Sequence, residues 1–269
     1  WHPRVFALHL KSVVFCFLRC VATLPAQDTF QLSPASPVSL PLIIDSNTPV
    51  YSPSGRTYVF SSGRVPMIST FDSEMNHLLT EQVSITNGAR LPMWIEAIWV
   101  SPTGAIYGWY HHERFTTCGN PALKSPEIGA LVSTDGGKTF RDLGIILTSG
   151  DRDDCSAQNG FFAGGNGDFS VMPDRDGLYF YFLLSTYAGD VSAQGIAMAR
   201  MSAGNLNSPV AAVWKYYNGS WSEPGLGGRV TPIFTATEPW QKAGTDAFWG
   251  PSIHWNTYLE TYVVLMNRS

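Results

Sequence analysis

The sequence contains few charged residues and no surplus of positive charge. Asp, Glu, Lys and Arg make up 14% of its 269 residues, well below the roughly 25% of an average soluble domain. The 17 basic residues are outnumbered by 21 acidic ones, which gives a formal net charge of −4. Domains that bind nucleic acid carry a basic footprint, so we predict no nucleic-acid partner.

Long apolar runs are also lacking. The run Ser12–Leu18 is too short to cross a bilayer as a helix, so no membrane span is expected in the mature chain. Lys11 before this run and the small-residue ending near Ala26 are typical of a secretory signal, although Arg19 interrupts the pattern. We expect residues 1–26 to be a signal peptide or a spurious N-terminal extension, and the mature protein to be secreted or periplasmic.

Cysteine is scarce, with four residues in the chain. Cys16 and Cys20 lie within the expected signal, which leaves Cys118 and Cys155 in two loop-like stretches. In an oxidising compartment these two can form a disulfide that ties the loops together. Two cysteines without further ligands at the usual spacing exclude a cysteine-based metal site, and we predict no metal.

The sequence is rich in strand–turn–strand patterns. They occupy Val50–Phe60, Ile98–Tyr110, Ser170–Phe182 and Ile253–Leu265, and residues 128–147, 196–201 and 213–221 add further strands. The turn glycines Gly55, Gly104 and Gly177 recur at intervals of 49 and 73 residues. No stretch has a sustained helical period. Repeated hairpins with insertions predict an all-β chain of the β-propeller type, with residues 27–269 as one domain.

The turn Ser133–Phe140 resembles the Asp-box, the Ser-x-Asp-x-Gly-x-Thr-aromatic signature of sialidases and related propellers. Asp135 is expected to accept backbone N–H bonds within the turn, glycine to take the positive φ, and Phe140 to pack beneath. This motif indicates a propeller-type hairpin, and we interpret Asp135 as a structural residue.

An acidic residue recurs at a matching place in three hairpins. Asp45, Glu96 and Asp168 stand ten, eight and nine residues before the turn glycines of their units. The innermost strands of a propeller run beside its central axis, so equivalent positions converge on one funnel. Carboxylates that meet there repel one another and raise some pKa values, which favours general acid–base chemistry.

Three inner-strand carboxylates on successive blades resemble the five-bladed-propeller glycosidases of the arabinanase, xylosidase, invertase and levansucrase families. The resemblance implies five blades, the last one incomplete, and an oligosaccharide or polysaccharide substrate. By position it implies that Asp45 is the base or nucleophile, and that Glu96 and Asp168 share the tuning and proton-donating roles. Trp249-Gly-Pro251 is similar to the Trp-Ala-Pro of such propellers. Those families usually have Asp as the second acid and Glu as the third, the reverse of this chain.

Further polar residues are candidates for the same funnel. His111 and His112 end the second hairpin, and one of them is expected to bind a sugar hydroxyl or orient an acid. Adjacent strand residues point to opposite faces, which argues against both binding a metal. Trp249 and His254 are further substrate-binding candidates, with a structural role for His254 equally open. No cofactor is predicted, although a structural calcium in the Asp151–Asp154 loop remains an alternative.

Two other functions fit the same strands. A non-catalytic propeller that binds glycans or a protein would have the hairpins without converging acids. A sialidase would need three arginines that clamp a carboxylate, for which Arg56, Arg64, Arg90, Arg114 and Arg229 are available. We rank the glycosidase first and expect a monomer.

Overall fold

The computed structural model describes residues 39–40, 44–88 and 90–268. Within these ranges the helical elements are two short 3-10 turns, Val191–Ala193 and Ala203–Asn205, which confirms the predicted all-β class. No helix among the described residues has the length and apolar character that a membrane crossing requires. The predicted signal peptide, with Cys16 and Cys20, lies outside the described residues.

The described strands form four sheets that follow one another along the chain. The first has the spatial order β1 (Val50–Tyr51), β2 (Thr57–Ser62), β3 (Pro66–Phe71) and β4 (His77–Gln82). The second has the order β5 (Ser84–Thr86), β9 (Thr139–Leu147), β8 (Lys124–Ser133), β7 (Ile106–Phe115) and β6 (Met93–Val100). All strand pairs in these two sheets are antiparallel except β5 with β9.

The third sheet is the largest and the fourth the smallest. The third contains β10 (Asn166–Pro173), β11 (Tyr179–Thr186), β12 (Gly195–Ser202), β13 (Val213–Tyr217) and β14 (Ser220–Pro224), and β15 (Phe234–Thr235) pairs with β12. The fourth is the hairpin of β16 (Phe248–Asn256) and β17 (Thr261–Arg268). Strand β10 contacts both β6 and β16, and β6 also contacts β2. Consecutive sheets whose inner strands adjoin in this way form a β-propeller arrangement, and none of the described sheets closes on itself.

Aromatic side chains fill the spaces between neighbouring sheets. Phe60 of the first sheet meets Phe140 of the second edge to face, with ring centroids 5.9 Å apart. Trp109 of the second sheet meets Phe182 of the third in the same way, at 5.8 Å. All four side chains are buried, and each contributes about 1.5–3 kcal/mol through the apolar surface it removes from water. This packing fixes the sheets side by side and so positions their inner strands.

The predicted hairpins are present, and their turn glycines adopt the left-handed conformation. Gly55, Gly104 and Gly177 have φ values of 78°, 85° and 68°. The sequence patterns did not predict β3 and β4, the outer strands of the first sheet. Strand β3 begins at a proline and β4 is almost entirely exposed, so neither has the apolar alternation that identified the other strands.

The turn between β8 and β9 has the hydrogen bonds expected from its sequence. The Thr139 N–H donates to Asp135 Oδ1 at 2.9 Å, and the Gly137 N–H donates to Ser133 Oγ at 2.9 Å. Gly137 has a φ of 87°, and a Cβ at this position would lie 2.5 Å from Cζ of Phe60. Glycine is therefore required here both by the backbone conformation and by the space that the neighbouring sheet leaves.

Cys118 and Cys155 form a disulfide with an S–S distance of 2.03 Å. The bond joins the loop after β7 to the loop before β10.

Candidate active site

The inner strands surround a cavity of about 260 Å³. Five of the residues that the sequence singled out line it: Asp45, Glu96, His111, Asp168 and Trp249. The remaining lining residues are Trp94, Glu113, Phe161, Phe162, Tyr187 and Trp240. The volume lies just below the roughly 300–1,000 Å³ typical of small-molecule sites. The three repeated acids thus meet in one axial cavity.

Local breaks in strand pairing direct two of these acids into the cavity. The register between β6 and β7 shifts between Ile95 and Ala97, and Glu96 is the residue between them. Asp168 occupies the same kind of irregularity in β10 and has a φ of 40°, which is uncommon for a residue other than glycine. Bulges re-aim side chains and are frequent beside active sites. The two acids therefore share a backbone device as well as a position.

His111 lies between the two bulged acids. Its Nδ1 is 3.6 Å from Glu96 Oε1 and 3.8 Å from Asp168 Oδ1, and it accepts the Asp168 backbone N–H at 3.2 Å. A Cβ on Gly167 would lie 2.7 Å from the imidazole, so glycine is required for this close approach. Nδ1 accepts a hydrogen bond, and Nε2 therefore carries the proton of the neutral ring. Burial lowers the pKa of His111 and keeps the ring neutral.

Glu96 is a buried acid whose ionised form is disfavoured. Burial raises its pKa well above the ordinary value, and the nearby carboxylates of Asp168 and Asp45 raise it further. One hydrogen bond, from the Phe169 N–H to Glu96 Oε2 at 3.0 Å, opposes this effect. No lysine or arginine is among the residues that line the described cavity. The site therefore holds excess negative charge without a cation to balance it.

Asp168 is connected by hydrogen bonds to the neighbouring strand β11 and to Tyr187, which directly follows it. The Tyr187 O–H donates to Asp168 Oδ2, and the Ser185 O–H donates to the Asp168 carbonyl at 3.2 Å. Ser185 in turn accepts the Gly250 N–H at 3.0 Å, which ties the residue after Trp249 to the third sheet. Burial and the charge of Asp168 raise the pKa of Tyr187, so its hydroxyl remains a donor.

Aromatic rings and unused donors form the remaining walls. The rings of Phe162 and Tyr187 are 4.7 Å apart, and Tyr187 meets Trp240 edge to face at 4.8 Å. Asn159 holds this wall because its side-chain amide donates to the carbonyls of Phe162 and Trp240 at 2.8 and 2.6 Å. Three buried N–H groups have no partner among the described residues: Nε1 of Trp94, Nε2 of His111 and Nε1 of Trp240. Buried donors of this kind need acceptor oxygens, which a ligand in the cavity can supply.

Glu113 is an acid of the cavity that the sequence analysis left without a role. It lies two residues after His111 on β7, so the two side chains are on one face of the sheet. Burial raises the pKa of Glu113, with further contributions from Asp168 and Asp45. The period-two spacing from His111 was the signal that would have identified it. Trp94, two residues before Glu96 on β6, had a similar signal, whereas Tyr187 and Trp240 lie outside the strands and had none.

Two predicted substrate-binding residues lie elsewhere. His112 is half-buried, and its Nδ1 donates to the Pro92 carbonyl at 2.9 Å on the other face of β7. His254 is exposed on β16 and does not line the cavity. His112 points away because adjacent strand residues alternate between faces. Trp249 pairs with Asn267 and His254 with Val263, so His254 lies four β17 residues further along the hairpin than Trp249.

The arginines that a sialidase would require are not in the cavity. None of the five candidates is among its described lining residues. Arg90 pairs with Asp142, Arg114 with Glu127 and Asp153, and Arg229 with Glu223. These ion pairs commit three of the five guanidinium groups to other carboxylates.

One group of neighbouring side chains carries carboxylate and imidazole groups, which are common metal ligands. Glu96, His111 and Asp168 each offer one ligand atom, and these atoms lie within 4.8 Å of one another. His111 Nδ1 already accepts the Asp168 N–H, and Glu96 Oε2 accepts the Phe169 N–H. These bonds compete with a cation for the same lone pairs, so the geometry gives no reason to replace the prediction of no metal.

Known structures with a similar backbone include two arabinan-degrading enzymes and a galactanase. An endo-arabinase from Bacteroides thetaiotaomicron matches with 13% identity and a TM-score of 0.49, covering 81% of this chain and 68% of that one. An α-L-arabinanase from Cellvibrio cellulosa, complexed with arabinohexaose, matches with 13% identity and a TM-score of 0.48, covering 84% and 71%. An exo-β-1,3-galactanase from Phanerochaete chrysosporium has the same identity and TM-score, and this chain covers 44% of it.

The chain thus spans less than half of the galactanase and about 70% of the two arabinan-degrading enzymes. No protein-family model and no curated protein sequence matches it. At identities this low, function has to be inferred from the side chains of the cavity.

Proposed function

We propose that this protein is a glycoside hydrolase that cleaves a carbohydrate in the axial cavity by carboxylate general acid–base catalysis. The observation that carries the proposal is the meeting of Asp45, Glu96 and Asp168 in one aromatic-lined cavity. Three acids gathered without a lining cation are costly for stability. Chemistry that needs one protonated and one ionised carboxyl group accounts for such an arrangement.

Asp45 is the base or nucleophile of this mechanism. Its side chain is exposed at the mouth of the cavity, where it reaches substrate or water. Asn47 supports its loop, because the Asn47 amide donates to the Phe169 carbonyl beside Asp168 at 3.0 Å. In hydrolysis Asp45 either attacks the anomeric carbon or removes a proton from the attacking water.

Glu96 and Asp168 act as a coupled pair that retains one proton. The charge of Asp168 raises the cost of ionising Glu96, so Glu96 retains a proton that can pass to Asp168. Asp168, with its side chain 23% exposed, is the member that delivers the proton to the departing oxygen as the C–O bond breaks. Glu96 holds the proton in reserve and tunes Asp168, with His111 and Tyr187 orienting both.

The substrate class follows from the walls. Flat aromatic surfaces pack against the C–H faces of sugar rings, and the three unpartnered N–H groups bind hydroxyl or ring oxygens. The surplus of carboxylates disfavours acidic sugars, so the cavity takes a neutral one.

We further propose that the protein is a monomer. We also propose that it is secreted or periplasmic, which the disulfide between Cys118 and Cys155 supports.

The test is a hydrolysis screen of neutral aryl glycosides and oligosaccharides, with Asp45→Asn as the variant. Wild type is expected to release sugar from at least one substrate, and Asp45→Asn to lose this activity with its circular dichroism spectrum and Tm unchanged. Asp176→Asn, an exposed acid in the β10–β11 turn, is the matched control and should retain full activity. Binding of a glycan without hydrolysis would instead identify a non-catalytic glycan-binding propeller.

A further inference from the structure

A second groove of about 320 Å³ lies on the outer part of the third sheet. It is lined by Tyr179, Arg200, Ser202, Asn205, Ala212, Trp214 and Trp221. Tyr179 begins β11, whereas Tyr187 of the axial cavity lies just beyond its other end. Eight residues of extended chain span roughly 25 Å, so the groove is separate from the proposed active site.

Strand pairing brings the groove residues together on one face of the sheet. Arg200 on β12 is directly opposite Tyr181 on β11 and Trp214 on β13. Tyr179 is opposite Ser202, one pair further along the same face. Directly paired residues on neighbouring strands lie close enough for their side chains to touch. The groove is therefore a surface of β11, β12 and β13, to which the edge strand β14 adds the ring of Trp221.

Arg200 is held between two aromatic rings and has no carboxylate partner. Its guanidinium lies 4.5 Å from the centre of the Tyr179 ring and 4.8 Å from that of Trp221. No hydrogen bond or ion pair joins the guanidinium to another described residue, and no acid lines the groove. The two rings hold the guanidinium through cation–π contacts and leave its N–H donors free. Such a group is pre-organised to bind a carboxylate.

The other groove residues suit a sugar ring. Trp214 is 46% exposed beside Arg200, which is unusual for a side chain of this size. Ser202 and Asn205 supply hydroxyl and amide groups at the rim. Peptides bind sheets mainly through main-chain pairing at a free edge, and the groove lies on a face of strands that are already paired.

We propose that this groove binds an acidic oligosaccharide, with Arg200 engaging a uronate carboxylate and Trp214 stacking on a sugar ring. The groove would hold a carboxylated polysaccharide on the surface while the axial cavity receives neutral sugars. The two sites thus have opposite charge preferences. This binding does not depend on hydrolysis, so the experiment that tests it does not test the proposed hydrolase activity.

Calorimetric titration tests the proposal with tetrasaccharides of galacturonate, glucuronate and mannuronate, each compared with its methyl ester. At least one acid form is expected to bind, and its ester to bind at least roughly ten-fold more weakly because the ester lacks the charge-assisted bonds. Arg200→Gln is expected to cause the same loss, and Trp214→Ala a loss of comparable size.

Two controls separate the groove from general charge and from catalysis. Arg175 lies 4.4 Å over the Trp255 ring outside the groove, so Arg175→Gln removes an equivalent stacked cation and should leave binding unchanged. Hydrolysis of neutral substrates should be the same in wild type and Arg200→Gln. Three results would overturn the proposal. They are failure of all three acidic tetrasaccharides to bind, equal affinity for an acid and its methyl ester, and an affinity for a glutamate heptapeptide equal to that for the acidic tetrasaccharide.

Discussion

Glu96 and Asp135 belong to the same sheet, and the fold treats their carboxyl groups in opposite ways. Partial burial raises the pKa of Asp135, but hydrogen bonds from Thr139 and Ser133 outweigh this and hold the pKa below its usual value. Burial and neighbouring acids hold the pKa of Glu96 well above its usual value, with one backbone N–H in opposition. The fold thus stabilises the ionised carboxylate of Asp135 and the protonated, neutral carboxyl group of Glu96.

The difference separates an acid that maintains the fold from one available for chemistry. Asp135 uses Oδ1 within its own turn, where it accepts from the Ser133 hydroxyl and the Thr139 N–H. Glu96 faces a cavity that contains two further repeated acids, at a position where a bulge interrupts strand pairing. A substitution of Glu96 should therefore lower activity and raise stability, whereas a substitution of Asp135 should lower stability and leave activity unchanged.

The largest effect is expected for Asp168→Asn. Removal of the proton donor should lower kcat/KM by about 10²–10⁴-fold on a substrate with a poor leaving group. A dinitrophenyl glycoside needs little protonation as it leaves, so its hydrolysis should fall far less. Equal losses on both substrates would exclude Asp168 as the general acid, and kinetics on the two substrates provide the measurement.

Glu96→Gln should lower activity by about 10- to 100-fold and at the same time increase stability near neutral pH. The folded-state pKa of Glu96 lies above its unfolded value of about 4.3, so wild type loses stability as pH rises through the folded pKa. Glutamine cannot ionise and can still accept the Phe169 N–H.

Urea unfolding across pH 4–8 measures this difference. The advantage of Glu96→Gln should be absent at the acid end and grow as pH rises. A variant that is less stable than wild type at pH 8 would contradict the buried-acid account of Glu96.

Asp135→Ala should have the reverse pattern, with activity unchanged and the free energy of unfolding lower by about 1 kcal/mol. The folded-state pKa of Asp135 is lowered, so its contribution is present above the unfolded value of about 3.9 and is lost as pH falls through the folded pKa. Urea unfolding at pH 7 and pH 3 checks this, with Asp176→Ala as the exposed control. Loss of activity at temperatures where the variant is folded would contradict a purely structural role.

The smallest effect is expected for Glu113→Gln. Glu113 lines the cavity on β7 but is not at a bulge and does not contact His111 Nδ1 as Glu96 and Asp168 do. We expect KM to change by less than about ten-fold and kcat to stay near its wild-type value. A loss as large as that of Asp168→Asn would place Glu113 in the catalytic machinery.

The sequence predicted those parts of the fold that depend on local chemistry. The turn glycines Gly55, Gly104 and Gly177 carry a positive φ that few other residues adopt, so hairpins and their acids were recognisable by spacing. The convergence of Asp45, Glu96 and Asp168 followed from that alignment.

Features that depend on tertiary packing were not predictable. The bulge at Glu96 leaves no mark in the sequence, whereas Gly167 beside the bulge at Asp168 is a residue that often marks one. Trp240 reaches the cavity from a loop held by Asn159, 81 residues away along the chain. His254 was misplaced because it lies four β17 residues further along the hairpin than Trp249, outside the residues that line the cavity.

Chemical rescue of Asp45→Ala by sodium azide tests the central claim, catalysis by the axial acids, most directly. The variant should lose about 10²–10⁴-fold in rate on the best neutral aryl glycoside. Azide is a small nucleophile that fits the space of the missing carboxylate, and it should restore part of the rate and yield a glycosyl azide. Full activity of Asp45→Ala without azide would contradict the account.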